Sequence, residues 1–197
     1  MSETPTTPVP TTPAPRTQAQ RSAATRDKVL DATVALLIER GYGATTTQEV
    51  NRRAGVSRGA LLHQFPTRES LVVAAIGYLV DRRKAEIIER AGAAEPDLEL
   101  LLDVFDGPLF YAALELWVAS RTDPALREAL IPVEQRIADE LLTTGLELFG
   151  HRYSAEQIEV AAELARGLAI SRLLRDPSTD RDVAGRIFTT FTEALRR

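Results

Sequence analysis

Between Thr46 and Pro66 the chain is punctuated so densely that only two very short helices fit. Thr46 and Glu49 stand in the S/T-x-x-E spacing of a capping box, in which hydroxyl and carboxylate satisfy orphan amides at a helix start. Gly55 can end that helix in a left-handed turn, Ser57 supplies a second N-cap, and Pro66-Thr67 breaks the segment after Phe65. A longer amphipathic helix precedes the pair: from about Ser22, Leu30, Val34, Leu37 and Ile38 recur at three- and four-residue spacing, and Gly41 and Gly43 close it. Two short helices joined by Ala54-Gly55-Val56-Ser57 behind a longer one meet the requirements of a helix-turn-helix. Val50, Ala54, Val56, Leu61 and Phe65 fit the inner side of such a unit, which leaves Arg58, Gly59, Leu62 and His63 pointing outward.

The remaining sequence also reads as helix. Pro66-Thr67 opens a longer helix carrying Leu71, Ala75, Ile76 and Leu79. The apolar run from Leu98 to Phe105 is interrupted at Gly107-Pro108 and resumes from Phe110 to Val118. Asp123-Pro124 pairs an N-cap with proline at the first helical position of a helix to Phe149, with a kink expected at Pro132. Ser154 and Gln157 form another capping box before a helix ending near Arg175, and Asp180 is placed to cap a last helix. No strand pattern and no internal repeat emerges, so the expected fold is all-α. Residues 1–20, with five prolines and almost nothing apolar, are expected as a disordered tail. Residues 21–68 are expected to form the helix-turn-helix domain, and 69–197 a helical second domain.

Charge is divided unevenly between these regions. Residues 16–90 hold 13 Lys and Arg against 8 Asp and Glu, whereas residues 91–197 hold 11 against 19. A net −4 chain thus has a basic N-terminal part able to meet phosphate and an acidic C-terminal part. Absence of cysteine removes disulfides, thiolate metal sites and cysteine nucleophiles together. No run approaches the roughly 18 to 20 apolar residues of a membrane span, and the expected location is the cytoplasm with no membrane partner.

Residues 26–71 resemble the DNA-binding domain of the tetracycline-repressor (TetR) family nearly position by position. The resemblance rests on the ERGY-x-x-T-T run from Glu39 to Thr46, the RAGVS turn from Arg53 to Ser57, and G-x-L-x-H-x-F-P-x-R-E from Gly59 to Glu69. It implies phosphate contacts from Thr46 or Thr47, from His63 and from Arg68, and base reading by Ser57, Arg58, Gly59 and Ala60. Helix N-termini attract phosphate, and Arg58 is long enough to bridge guanine O6 and N7. The sequence departs from the common family pattern at Leu62 and Gln64, where aromatic residues are usual, and at Ala60, where threonine is frequent. Leu62 lies on the outward face but lacks the phenol that would contact phosphate. Arg16, Arg21 and Arg26 could compensate by reaching a minor groove from a flexible arm.

The resemblance further implies a C-terminal ligand-binding and dimerisation domain, a homodimer, and an inverted-repeat operator on double-stranded DNA. Ile158, Ala161, Ala162, Leu164, Ala165, Leu168 and Ala169 give the penultimate helix a broad apolar face, and Val183, Ile187, Phe188, Phe191 and Leu195 do likewise for the last. The region holding Phe105, Phe110, Tyr111, Leu114, Glu115 and Trp117 suits a hydrophobic or aromatic effector, and equally suits a filled core with no pocket. No cofactor or metal is expected, since His63 and His151 are far apart with no clustered partners. Gly55-Val56-Ser57-Arg58-Gly59 satisfies the G-x-S-x-G of serine hydrolases, but that elbow needs a strand before its serine where a helix is expected here. The chain is therefore not expected to be an enzyme.

Overall fold

Helices form every regular element of the computed structural model, which describes residues 17–91 and 97–195. The first, α1 (Gln18–Ala44), is capped by Thr17, whose hydroxyl accepts from the Gln20 amide while the Gln20 side chain accepts from the Thr17 amide. Helix thus begins inside the stretch expected as a disordered tail, because Thr17-x-x-Gln20 is itself a capping box. Residues 1–16 of that expected tail, and with them Arg16, lie outside the described residues. Arg21 and Arg26 are helical rather than part of a flexible arm, and Arg26 stacks 4.8 Å from the Phe65 ring centroid.

After α1 come α2 (Thr47–Ala54), α3 (Arg58–Gln64) and α4 (Arg68–Ala91). The C-terminal part contains α5 (Leu100–Val104), α6 (Pro108–Ser120), α7 (Pro124–Phe149), α8 (Ala155–Arg172) and α9 (Pro177–Leu195). The helix α7 continues through Pro132 to Phe149 as one element. Asp180 does not cap α9. It sits inside the first turn, 5% exposed, with its carboxylate taken by Arg172 and Arg175.

Two cores result. One gathers Val29, Leu36, Val50, Leu61 and Phe65 with Leu71 and Ile76 of α4, and extends to Leu116 of α6 and Leu126 of α7. The helix-turn-helix is thereby built onto α4, α6 and α7, and its core crosses the boundary expected at residue 68. The second core joins Leu101, Phe110 and Phe149 to Ile158, Ala165 and Phe188. Most of the apolar face expected on α8, from Ile158 to Ala169, is buried within this second core, although Leu164 remains partly exposed.

Candidate functional site

The reading helix is presented by local chemistry at both of its ends. Gly55 adopts φ 65°, a left-handed turn that lets its amide cap the Asn51 carbonyl and reverses the chain after α2. Two residues on, the Ser57 hydroxyl accepts from the Ala60 amide at 3.2 Å and starts α3. Leu61 and Phe65 are buried against α1 and α4, so Ser57, Arg58, Gly59, Leu62 and His63 are exposed and Ala60 is half-buried. The Arg58 guanidinium makes no ion pair or hydrogen bond among the described residues.

Neighbouring arginines are placed otherwise. Arg53 forms a bidentate pair with Glu39 at 2.6 Å, binding α2 to α1 and holding the Glu39 carboxyl below its ordinary pKa. Glu49 was expected to return its carboxylate to the Thr46 amide; it instead pairs with Arg52 at 2.9 Å and Arg40 at 3.3 Å, and Arg52 holds its pKa down. Only the Thr46 half of the expected capping box forms, with the Thr46 hydroxyl accepting from the Glu49 amide at 3.2 Å. Thr46 is exposed and Thr47 half-buried at the N-terminus of α2.

Arg68, expected to face phosphate, turns inward. Its Nε donates to the Thr45 carbonyl at 2.8 Å, its Nη2 donates to the Tyr42 carbonyl, and its guanidinium stacks 4.0 Å from the Tyr42 ring centroid. The last carbonyls of the α1 segment attract this cation, which ties the start of α4 to the entry of α2. Gln64 likewise turns back, donating to the Ser22 carbonyl at 3.3 Å.

A cavity of about 430 Å³ lies among α4, α5, α6, α7 and α8. Its size falls within the range of small-molecule sites. Of the expected pocket residues, Phe105, Phe110 and Trp117 line it, with Ile76, Val80 and Ile87 of α4 and Leu141 of α7. Tyr111, Leu114 and Glu115 do not. Glu115 points to the opposite side of α6, where its carboxylate accepts from the Tyr42 amide at 2.6 Å. That contact is possible because Gly41, at φ 72° and ψ 177°, breaks α1 and brings bare backbone against the carboxylate. Glu134, absent from the expected set, lines the cavity and accepts from the Trp117 indole N–H at 2.7 Å; burial pushes its carboxyl pKa up, opposed by that hydrogen bond and by Arg166. Among the described residues no cluster of three acidic or histidine side chains is placed to hold a metal. No described helix is long and apolar enough to cross a membrane.

Residues 29–75 match the family profile described as "Bacterial regulatory proteins, tetR family". Over 152 residues the chain is 30% identical to the HTH-type transcriptional regulator CymR of Pseudomonas putida, covering 74% of this chain and 68% of that protein. The chain belongs to the TetR family. Another relative, the HTH-type transcriptional repressor AcnR of Corynebacterium diphtheriae, is 28% identical over 64% of this chain and 65% of its own length. The fold is similar to that of the multidrug binding protein EbrR complexed with imidazole, with TM-score 0.62 and 22% identity over 84% of this chain and 93% of that one. TetR-family membership makes the chain a helix-turn-helix transcription regulator and not an enzyme. In keeping with this, helix α2 precedes the Gly55–Gly59 segment where a hydrolase would have a strand.

Proposed function

We propose that this TetR-family regulator is a repressor that binds an inverted-repeat operator as a homodimer and leaves it when a small effector with a hydrophobic or aromatic body enters the cavity. The observation that carries the reading is the exposed N-terminal end of α3, where the unpaired Arg58 stands among Ser57, Gly59 and Ala60. In this reading those four residues face base edges, and Thr46, Thr47 and His63 contact phosphate. Leu62 offers apolar contact beside the backbone. Arg68 acts as a positioning residue that sets the angle between α4 and the reader. The site of action is the cytoplasm, where the DNA is.

A single α3 of seven residues covers too little DNA for selective binding, so two copies related by a two-fold axis are needed. Exposed Val160, Ile170 and Leu174 recur along or just beyond α8, and exposed Ile187 lies on α9. At Gly167 and Gly185 a Cβ would meet open space, leaving room for a partner helix to approach closely. These exposed positions, rather than the buried face anticipated on α8, are the proposed dimer contact.

Two helices can couple the cavity to the reader. The cavity wall includes Ile76 and Val80 of α4, whose first residue is Arg68, and Trp117 of α6, two residues from Glu115. An effector that favours a shifted α4 or α6 would disturb the Tyr42 contacts and move the population off DNA. EbrR is described as a multidrug binding protein, and AcnR as a repressor, consistent with this assignment. Selection of genomic fragments by the purified protein tests it: an enriched inverted repeat supports the reading, and no enrichment at low salt by a folded dimer overturns it.

A further inference from the structure

We propose that the cavity takes a monocationic amphiphile: an apolar or aromatic body bearing a protonated amine, whose N–H donates to Glu134. This deepens the effector reading above and rests on it. Glu134 lines the cavity, and its only hydrogen bond among the described residues comes from the neutral indole of Trp117. It makes no direct ion pair, although the Arg166 charge acts on it from a distance, whereas the other charged side chains of the wall are engaged in direct pairs. Glu140 pairs with Lys84 and Arg136, and Arg83 pairs with Glu86. Arg166 pairs with Glu163 and lies over the Phe105 and Trp117 rings, 5.2 and 5.5 Å from their centroids.

This pattern favours a cation over an anion. An incoming carboxylate would face Glu134 and would have to compete with Glu163 for Arg166, although the Arg166 Nε has no hydrogen-bond partner. An incoming ammonium would give Glu134 a direct ion pair, which Arg166 supplies only from a distance, and the Phe110 and Trp117 rings would flank the organic body. Burial pushes the Glu134 carboxyl up despite the Trp117 hydrogen bond and the Arg166 charge, so a further positive charge in direct contact relieves the remaining cost.

Trp117 is the only tryptophan of the chain, so its fluorescence reports cavity occupancy directly. Three probes that share one apolar body separate the classes: para-tert-butylbenzylamine, para-tert-butylbenzyl alcohol and para-tert-butylbenzoate. The full chain is expected to bind the amine about tenfold or more tightly than the alcohol, and the benzoate most weakly, as a charge-assisted contact implies. Glu134→Gln keeps an acceptor for Trp117 and should remove the amine's advantage while leaving alcohol affinity within about twofold. Equal binding of amine and alcohol, or preference for the benzoate, overturns the cation assignment and leaves the effector reading standing. Failure of all three to change Trp117 emission or melting temperature overturns both. If the variant does not fold, the order of the three probes on the unaltered chain still decides.

Discussion

Gly41→Ala is expected to be among the most damaging single-methyl additions in the chain. At φ 72° and ψ 177° the backbone of Gly41 occupies a region essentially closed to residues with a Cβ, which costs roughly 1–3 kcal/mol. The added Cβ would stand 2.9 Å from Glu115 Oε1 and closer still to Oε2, so the carboxylate must withdraw. Withdrawal frees the Tyr42 amide from its 2.6 Å acceptor, a contact worth about 1–2 kcal/mol after allowing for the exposure of Glu115. The total is about 2–5 kcal/mol, measured by urea denaturation followed by circular dichroism. Glu115→Ala alone should cost only the hydrogen-bond part. In the double variant the carboxylate is already gone, so the losses should fall short of additive by about 1–2 kcal/mol. Strict additivity, or a Gly41→Ala loss under about 0.5 kcal/mol, would refute the linkage between α6 and the α1 break.

Ser57→Ala should cost about 1 kcal/mol in the same denaturation assay, because the Ala60 amide loses its cap, and should also weaken operator binding. Glu134→Gln should melt higher than the parent protein near neutral pH. Burial raises the folded-state pKa of Glu134, so its ionisation opposes folding; the variant's advantage should shrink as pH falls through the raised value and vanish below the ordinary carboxylate range. A pH-independent difference in melting temperature would contradict that cause. Val160→Asp places a charge on the exposed stripe of α8 and should shift sedimentation from dimer to monomer at micromolar concentration while leaving the helical circular dichroism spectrum unchanged.

The helix-turn-helix was legible because its determinants are local. Ser57 caps, Gly55 turns and Leu61 packs within a few residues of one another, and each leaves a sequence signature. The direction of long side chains was not legible in the same way. Arg68 and Arg58 carry the same charge ten positions apart, yet one folds onto Tyr42 and the other stays free, since only the approach of α1 to α4 supplies carbonyls to the first. Glu115 and Glu134 show the same limit within the cavity region. The acidic residue nearest the aromatic run faces α1, whereas the one lining the cavity arrives from α7 and is recognisable only through its contact with Trp117. The start of α1 was obscured by proline-rich composition upstream, although Thr17 and Gln20 carry the capping spacing.

Operator recognition as proposed depends on α3 reading base edges through Arg58. It is tested most directly by measuring affinity for the selected operator and for a scrambled duplex, with and without Arg58→Ala, across a salt series. The variant is expected to lose about 1–3 kcal/mol on the operator and little on the scrambled duplex, and the parent's binding to fall steeply as salt rises. Equal loss on both duplexes would make Arg58 a phosphate contact only. No loss on either would show that α3 does not read the operator through Arg58.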